Sequence, residues 1–402
     1  MPRLTLPAYL GILILCAAIF ALGQFHRASG SVFVPILMDR FALPALALGG
    51  LVSVMFIATI AAQLPLGAAL DRFGPRRLVP LCLILVSLGT ALFATADSLA
   101  AIWAARVLIG LGLAAMGAAS HVIIAHAVPA RDFGYVSGLV VTLGGIGGLL
   151  GTYPLALALQ TLPWGTVFGA AAVAALALAF VVPGVIPRAA QAKDSTAPIA
   201  GFGTLLRRAA LRRILVMGLV TYAPITTLTG LWGGPFLQDA VGLDPGPAGA
   251  VLFVLFGATI AGGAIFGMID RRTQARRTVI ATAVAVSCTC LATLALLPDV
   301  PIPLVIALLL GSVFAQQFYI PLGAHLRSIT PLDQMGRAAA LQTLCAVAAI
   351  PLMQLGFGAI LDLTQSLGFA PQEQYRSAFG SMALVIALCG AVYLWPERQQ
   401  AG

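Results

Sequence analysis

Gly67-Ala68-Ala69-Leu70-Asp71-Arg72-Phe73-Gly74-Pro75-Arg76-Arg77 is a short charged stretch set between two long apolar runs. A glycine at position 67 lets two helix backbones come close. Asp71 and Arg72 stand where an apolar helix has to end, Gly74 permits the chain to reverse, and Pro75 stiffens the new direction. Arg72, Arg76 and Arg77 then hold the turn on the cytoplasmic side of a membrane, where basic residues collect. The stretch reads as a tight turn between two membrane-crossing helices.

Outward from that turn the chain is almost wholly apolar. Of its 402 residues 60% are hydrophobic and 9% charged, with a mean hydropathy of +1.02. A water-soluble domain of this length cannot hide so much apolar surface. The solvent is lipid, which a helix of about 20 apolar residues crosses. Twelve spans are predicted, near 8–37, 45–69, 78–95, 99–126, 134–158, 164–186, 212–236, 246–269, 278–297, 302–327, 336–360 and 375–395. Met1-Pro2-Arg3 leads into a run longer than a signal-peptide core, so the first span is expected to stay as an anchor.

With the N-terminus in the cytoplasm, 18 of the 22 basic residues fall in cytoplasmic segments. The positive-inside rule therefore predicts both termini inside, in the cell (inner) membrane. The net charge of +9 is topological, and no loop is long enough to present a basic patch to a nucleic acid. Anionic lipid head groups are the partner such loops can touch. All six cysteines lie inside spans, and Cys288-Thr289-Cys290 has no third ligand nearby, so neither a metal nor any other cofactor is expected. No nucleophile, base and orienter stand together, which argues against an enzyme.

Gly67, Asp71, Arg72, Gly74, Arg76 and Arg77 resemble the pattern Gly-x-x-x-Asp-Arg-x-Gly plus two basic residues in the major facilitator superfamily of membrane transporters, with Pro75 moving the basic pair one place on. The resemblance implies an all-α membrane protein of twelve transmembrane helices in two six-helix halves related by pseudo-two-fold symmetry. The substrate site then lies where the halves meet, and the Asp of the turn gates one face until substrate loosens it. Internal echoes agree. Asp71-Arg72 and its arginine pair recur as Asp270-Arg271 with Arg276-Arg277, and Pro129, Gly134 and Leu139 recur as Pro331, Gly336 and Leu341. The expected division is 1–186, a cytoplasmic linker 187–211, and 212–402. Asp270 and Arg271 join the first turn as gating candidates.

Polar residues at hydrocarbon depth carry the chemistry, since an arginine at mid-span costs roughly 2.5 to 3.5 kcal/mol. Gln24, Arg27, Ala28 and Ser31 share one helix face, a stripe expected to face water and to offer a planar fork to carboxylate or phosphate. The run Phe25-His26-Arg27-Ala28-Ser29-Gly30-Ser31 is similar to span 1 of the organophosphate and organic-anion branches, although the second arginine that organophosphate antiporters carry in span 7 is missing here. Arg27 has two plainer readings, as a partner of a neighbouring carbonyl or as a snorkelling side chain. From the second half, Tyr222, Gln316 or Gln317, and Tyr319 are candidates to hydrogen-bond substrate, or else ties between helices. Gly144, Gly145, Gly147, Gly148 and Gly151 in span 5 are expected to pack and bend against the opposing half.

Coupling is harder to place, because none of the 13 acidic residues falls at mid-span. His121 is the best-placed titratable group for protons as coupling ion. Arg106 opens an Arg-x-x-x-Gly-x-Gly run similar to span 4 of the superfamily, where the arginine serves coupling or packing; snorkelling to the outer surface is the alternative. The expected function is a secondary active or facilitative transporter, symporter or antiporter among them, moving a small organic solute with an anion as the favoured class. Efflux of apolar or cationic compounds is one alternative, and a transporter-like membrane sensor another. The lipid bilayer and the small-molecule substrate are the expected partners, and a monomer the expected state.

Overall fold

A computed structural model describes residues 6–127, 133–186, 202–273, 275–330 and 335–395. Most of the expected linker lies outside them, as do the side chains of Asp71, His121 and Arg271. Among the described residues there is no strand, and twelve helices are long and apolar enough to cross a membrane. In chain order they are α1 (Tyr9–Phe41), α2 (Ala45–Phe73), α3 (Pro75–Thr95), α4 (Leu99–Ile124), α5 (Val136–Thr161) and α6 (Trp164–Val185). The second six are α7 (Ala209–Ala240), α8 (Pro245–Thr273), α9 (Arg276–Leu296), α10 (Ile302–Ile329), α11 (Met335–Ser366) and α12 (Pro371–Leu394). The twelve-span, all-helical reading holds, with ends shifted by a few residues.

Two compact units emerge. The first comprises Met1–Leu43, Gly50–Ala197 and Asp244–Phe253; the second comprises Pro44–Gly49, Pro198–Leu243 and Val254–Gly402. In the first, α1 lies along α5, and α3 lies between α4 and α6. Aromatic rings fill the space between α3 and α6: Phe93 meets Phe168 edge-on at 4.9 Å, and Trp164 lies 4.6 Å from Phe168 while donating its indole N–H to the Phe93 carbonyl at 2.9 Å. Ser87 adds a hydroxyl bond to the Ala172 carbonyl at 2.8 Å.

Span 5 departs from expectation. A Cβ added at Gly144 would strike Phe20, one at Gly147 the backbone of Ala21, and one at Gly151 the Phe25 carbonyl. These glycines bring α5 against α1 of its own unit. Small residues are used here because lipid does not drive helices together, so contact rests on backbones that can approach closely. Gly67 differs as well. Nothing lies within 4 Å of a Cβ added there, so among the described residues no close helix approach forms at that glycine.

In the second unit, α9 packs on α10 and α12, and α7 packs on α11. α7 is the most buried of the spans and contains two π-helical turns, Leu228–Trp232 and Phe236–Ala240. Such widened turns are rare and frequently accompany functional sites. Trp232, fully buried, stacks on Phe357 at 5.6 Å and donates to the Gln354 carbonyl at 3.1 Å.

Replacing Gly147 with leucine should push α5 off α1 and destabilise the protein by about 1–3 kcal/mol, the usual result of overfilling a packed contact. Gly67→Leu should be nearly neutral. Thermal unfolding of both variants in detergent checks the contrast.

Candidate functional site

The first span is not one continuous helix. It runs Leu6–Ala28, breaks at Ser29, and resumes as Gly30–Phe41. At the break the His26 carbonyl accepts from the Ser29 hydroxyl at 3.3 Å and from Arg106 Nη1 at 3.4 Å. Arg106 Nη2 donates to the Val52 carbonyl of α2 at 3.4 Å, and the guanidinium lies 5.3 Å from the centre of the Phe33 ring. Arg106 is 1% exposed and its Nε has no partner. Snorkelling is therefore excluded: the side chain turns inward, where the His26 and Val52 carbonyls accept from it and Phe33 offers a ring face.

His26 and Arg27 are neighbours in sequence but point to different company. The His26 ring is 2% exposed, and its Nε2 stands 3.2 Å from the Thr90 hydroxyl. That hydroxyl donates to the Val86 carbonyl at 2.7 Å, so it accepts from the imidazole. Arg27 is half-buried and its Nη1 donates to Gln24 Oε1 at 2.9 Å. Gln24 is 9% exposed and Ser31 is fully buried. The four-residue stripe is thus split: Arg27 stays half-buried, while Ser31, past the break at Ser29, is fully buried. Sequence spacing had no signal for that break, nor for Thr90 and Phe33 as members of the cluster.

The candidates in the second unit separate too. Gln316 is fully buried, and its Nε2 donates to Ser287 at 2.9 Å and to Ser312 at 3.1 Å. It ties α9 to α10. Gln317 is half-buried in the 3₁₀ turn Gln316–Phe318 and packs over Gly262 of α8. Tyr319 is 37% exposed and Tyr222 half-buried. Tyr222, Gln317 and Tyr319 share no hydrogen bond among the described residues.

The charged turn takes a definite shape. α2 runs on to Phe73, Gly74 adopts φ 74°, and Pro75 is the first residue of α3. Only glycine holds such a backbone without strain, and proline at a first helical position loses no hydrogen bond. Arg72 lies over the Phe73 ring at 5.2 Å. In the corresponding turn of the second unit, Asp270 pairs with Arg276 at 2.8 Å and Arg277 donates to the Leu394 carbonyl at 3.3 Å. Asp270 therefore fastens its own turn.

The family model for the Major Facilitator Superfamily matches residues 13–267. A probable 4-methylmuconolactone transporter from Cupriavidus pinatubonensis (strain JMP 134 / LMG 1197) is 26% identical over 278 residues, covering 66% of this chain and 64% of that protein. The uncharacterized transporter YybO of Bacillus subtilis (strain 168) is 29% identical over 154 residues, covering 38% and 35%. Each match spans less than two thirds of the relative's length. Among solved structures, a bacterial homologue of the human lysosomal transporter Spinster, inward-facing and occupied, superposes with a TM-score of 0.81 at 16% identity over 97% of both chains. A D-xylose–proton symporter does so at 0.78 and 15%, over 96% of this chain and 98% of that one.

Thr90→Val should leave the His26 imidazole without its partner inside the unit and cost roughly 1–3 kcal/mol. A lowered melting temperature of the purified protein is the expected reading, with Thr95→Val, an exposed threonine at the end of the same helix, as the neutral comparison.

Proposed function

The chain belongs to the major facilitator superfamily, and on that premise we propose that this multi-pass membrane transporter moves a small organic anion by alternating access. The observation that carries the reading is Arg27: a half-buried guanidinium within a membrane span, held by Gln24 at 2.9 Å. One donor is engaged by a neutral amide, leaving the rest of the planar fork for a carboxylate or phosphate. A charge kept at such depth is costly and is commonly retained for use. A relative named as a probable lactone transporter supports an organic solute.

In this reading Gln24 orients Arg27, and Ser31 lines the same helix. Gln317, Tyr319 and Tyr222 supply hydrogen bonds from the half 212–402, while Gln316 serves as a tie within it. The turn from Gly67 to Arg77 gates one face together with Asp270 and Arg271, and the termini and the linker 187–211 lie in the cytoplasm. Protons are the coupling ion, by way of His121 or Arg106. The working unit is a monomer without a cofactor.

A thermal-shift screen with organic acids, sugar phosphates, amino acids and peptides should find an anionic ligand. Its affinity should fall with Arg27→Lys and vanish with Arg27→Gln, since removing a charge-assisted bond to a desolvated ligand costs roughly 2 to 5 kcal/mol, some 30-fold or more. Titration of that ligand on wild type and both variants measures it. A cationic ligand, or unchanged affinity, turns the reading to efflux.

Asp71→Asn should slow transport into reconstituted vesicles while ligand binding in detergent stays intact. Normal transport rates would remove the gating role from this turn.

A further inference from the structure

α2 begins with both of its first amides bound by one carboxylate. Ala45 N donates to Asp362 Oδ1 at 2.7 Å and Leu46 N to Asp362 Oδ2 at 2.8 Å, from a residue 317 positions away near the end of α11. The chain ahead of the helix offers no cap of its own: Leu43 is apolar and Pro44 has neither a side-chain acceptor nor an N–H. A helix usually draws its cap from the residue just before it. Here the cap is an anion placed at the positive end of the helix dipole by another helix, with both oxygens engaged at charge-assisted distances.

The surroundings are close-fitting. A Cβ at Gly49 would come within 3.0 Å of the Gln354 carbonyl, and one at Gly358 within 2.8 Å of the Ala45 carbonyl and 3.0 Å of the Trp232 ring. That ring is itself held by Gln354 and Phe357. All these groups lie in the second unit, which takes in Pro44–Gly49; from Gly50 onward the same helix is counted with the first. The first turn of α2 is thus held by two hydrogen bonds to a single side chain and by close backbone approach at Gly49 and Gly358, with Leu48 buried beneath it.

We propose that Asp362 is a further gating residue, a releasable latch that holds the first turn of α2 in the present conformation and lets it go in the alternate one. The proposal rests on the alternating-access reading. It assigns to the end of α11 a role in transport distinct from that of the charged turns at Gly74 and Asp270.

The test uses Leu48→Cys, since Leu48 is fully buried one turn inside the cap, in full-length protein in nanodiscs exposed to a membrane-impermeant maleimide. Protein retaining Leu48 supplies the background from the native cysteines. Adding Asp362→Asn should raise the labelling rate at position 48 on the order of tenfold, the effect of losing one charge-assisted hydrogen bond. Ala45→Pro removes one donor at a position where proline fits a helix start, leaves Asp362 intact, and should raise the rate less. A faster rate in either variant, at a temperature well below its melting point, supports the latch. Unchanged labelling in both overturns it, whether or not the melting temperature falls, and leaves Asp362 as an ordinary cap. No substrate enters the assay, so its failure is separable from a failure of the anion reading at Arg27.

Discussion

A guanidinium sealed from water, bonded to two backbone carbonyls, is the constraint on which the first unit turns. Burying an ion costs several kcal/mol even after its surroundings relax, and Arg106 meets that cost with the His26 carbonyl, the Val52 carbonyl and the face of Phe33. Each partner imposes a condition. The His26 carbonyl lies where α1 breaks at Ser29, Val52 fixes where α2 passes, and Phe33 joins the rings of Phe93, Trp164 and Phe168. Displacing α1 would take away the His26 carbonyl and the Phe33 ring, and displacing α2 the Val52 carbonyl. Position and register of three helices therefore hang on one side chain.

Elsewhere the protein uses neutral polar groups in the same spirit. Gln316 joins two serines on neighbouring helices, Trp232 hangs on the Gln354 carbonyl, and Thr59 stands 2.8 Å from the Met55 carbonyl and 2.9 Å from that of Gly110. In lipid an unmet polar group is expensive and apolar contact between helices carries no solvent-driven gain. Directional bonds and glycine-lined approaches therefore decide which helices pair. They also leave joints that can part, because a few hydrogen bonds are lost without exposing apolar surface to water.

At the break in α1 the same kind of bond sorts neighbouring side chains. Two adjacent residues, His26 and Arg27, divide the work: one faces inward to Thr90, the other stays half-buried with Gln24. The division follows from helical rotation of about 100° per residue, and it separates a ring sealed inside the unit from a guanidinium left half-buried.

What could be read without tertiary structure was whatever repeats along the chain or is set by local chemistry. Twelve apolar runs, the all-helical class and the turn of Gly74 and Pro75 belong there, because lipid admits only self-satisfied helices and because a positive φ beside a proline is a local requirement. The split of the Gln24–Arg27–Ser31 stripe, the inward turn of Arg106, the packing of the span-5 glycines on α1 and the confinement of Gln316 were not legible, nor was the cap that Asp362 sets on α2. Each depends on which helices become neighbours, and polar side chains in a nearly uniform apolar background carry no mark of their partners. Sequence determined that the chain spans the membrane twelve times; tertiary packing alone decided which of its few polar groups hold helices together and which stay partly exposed.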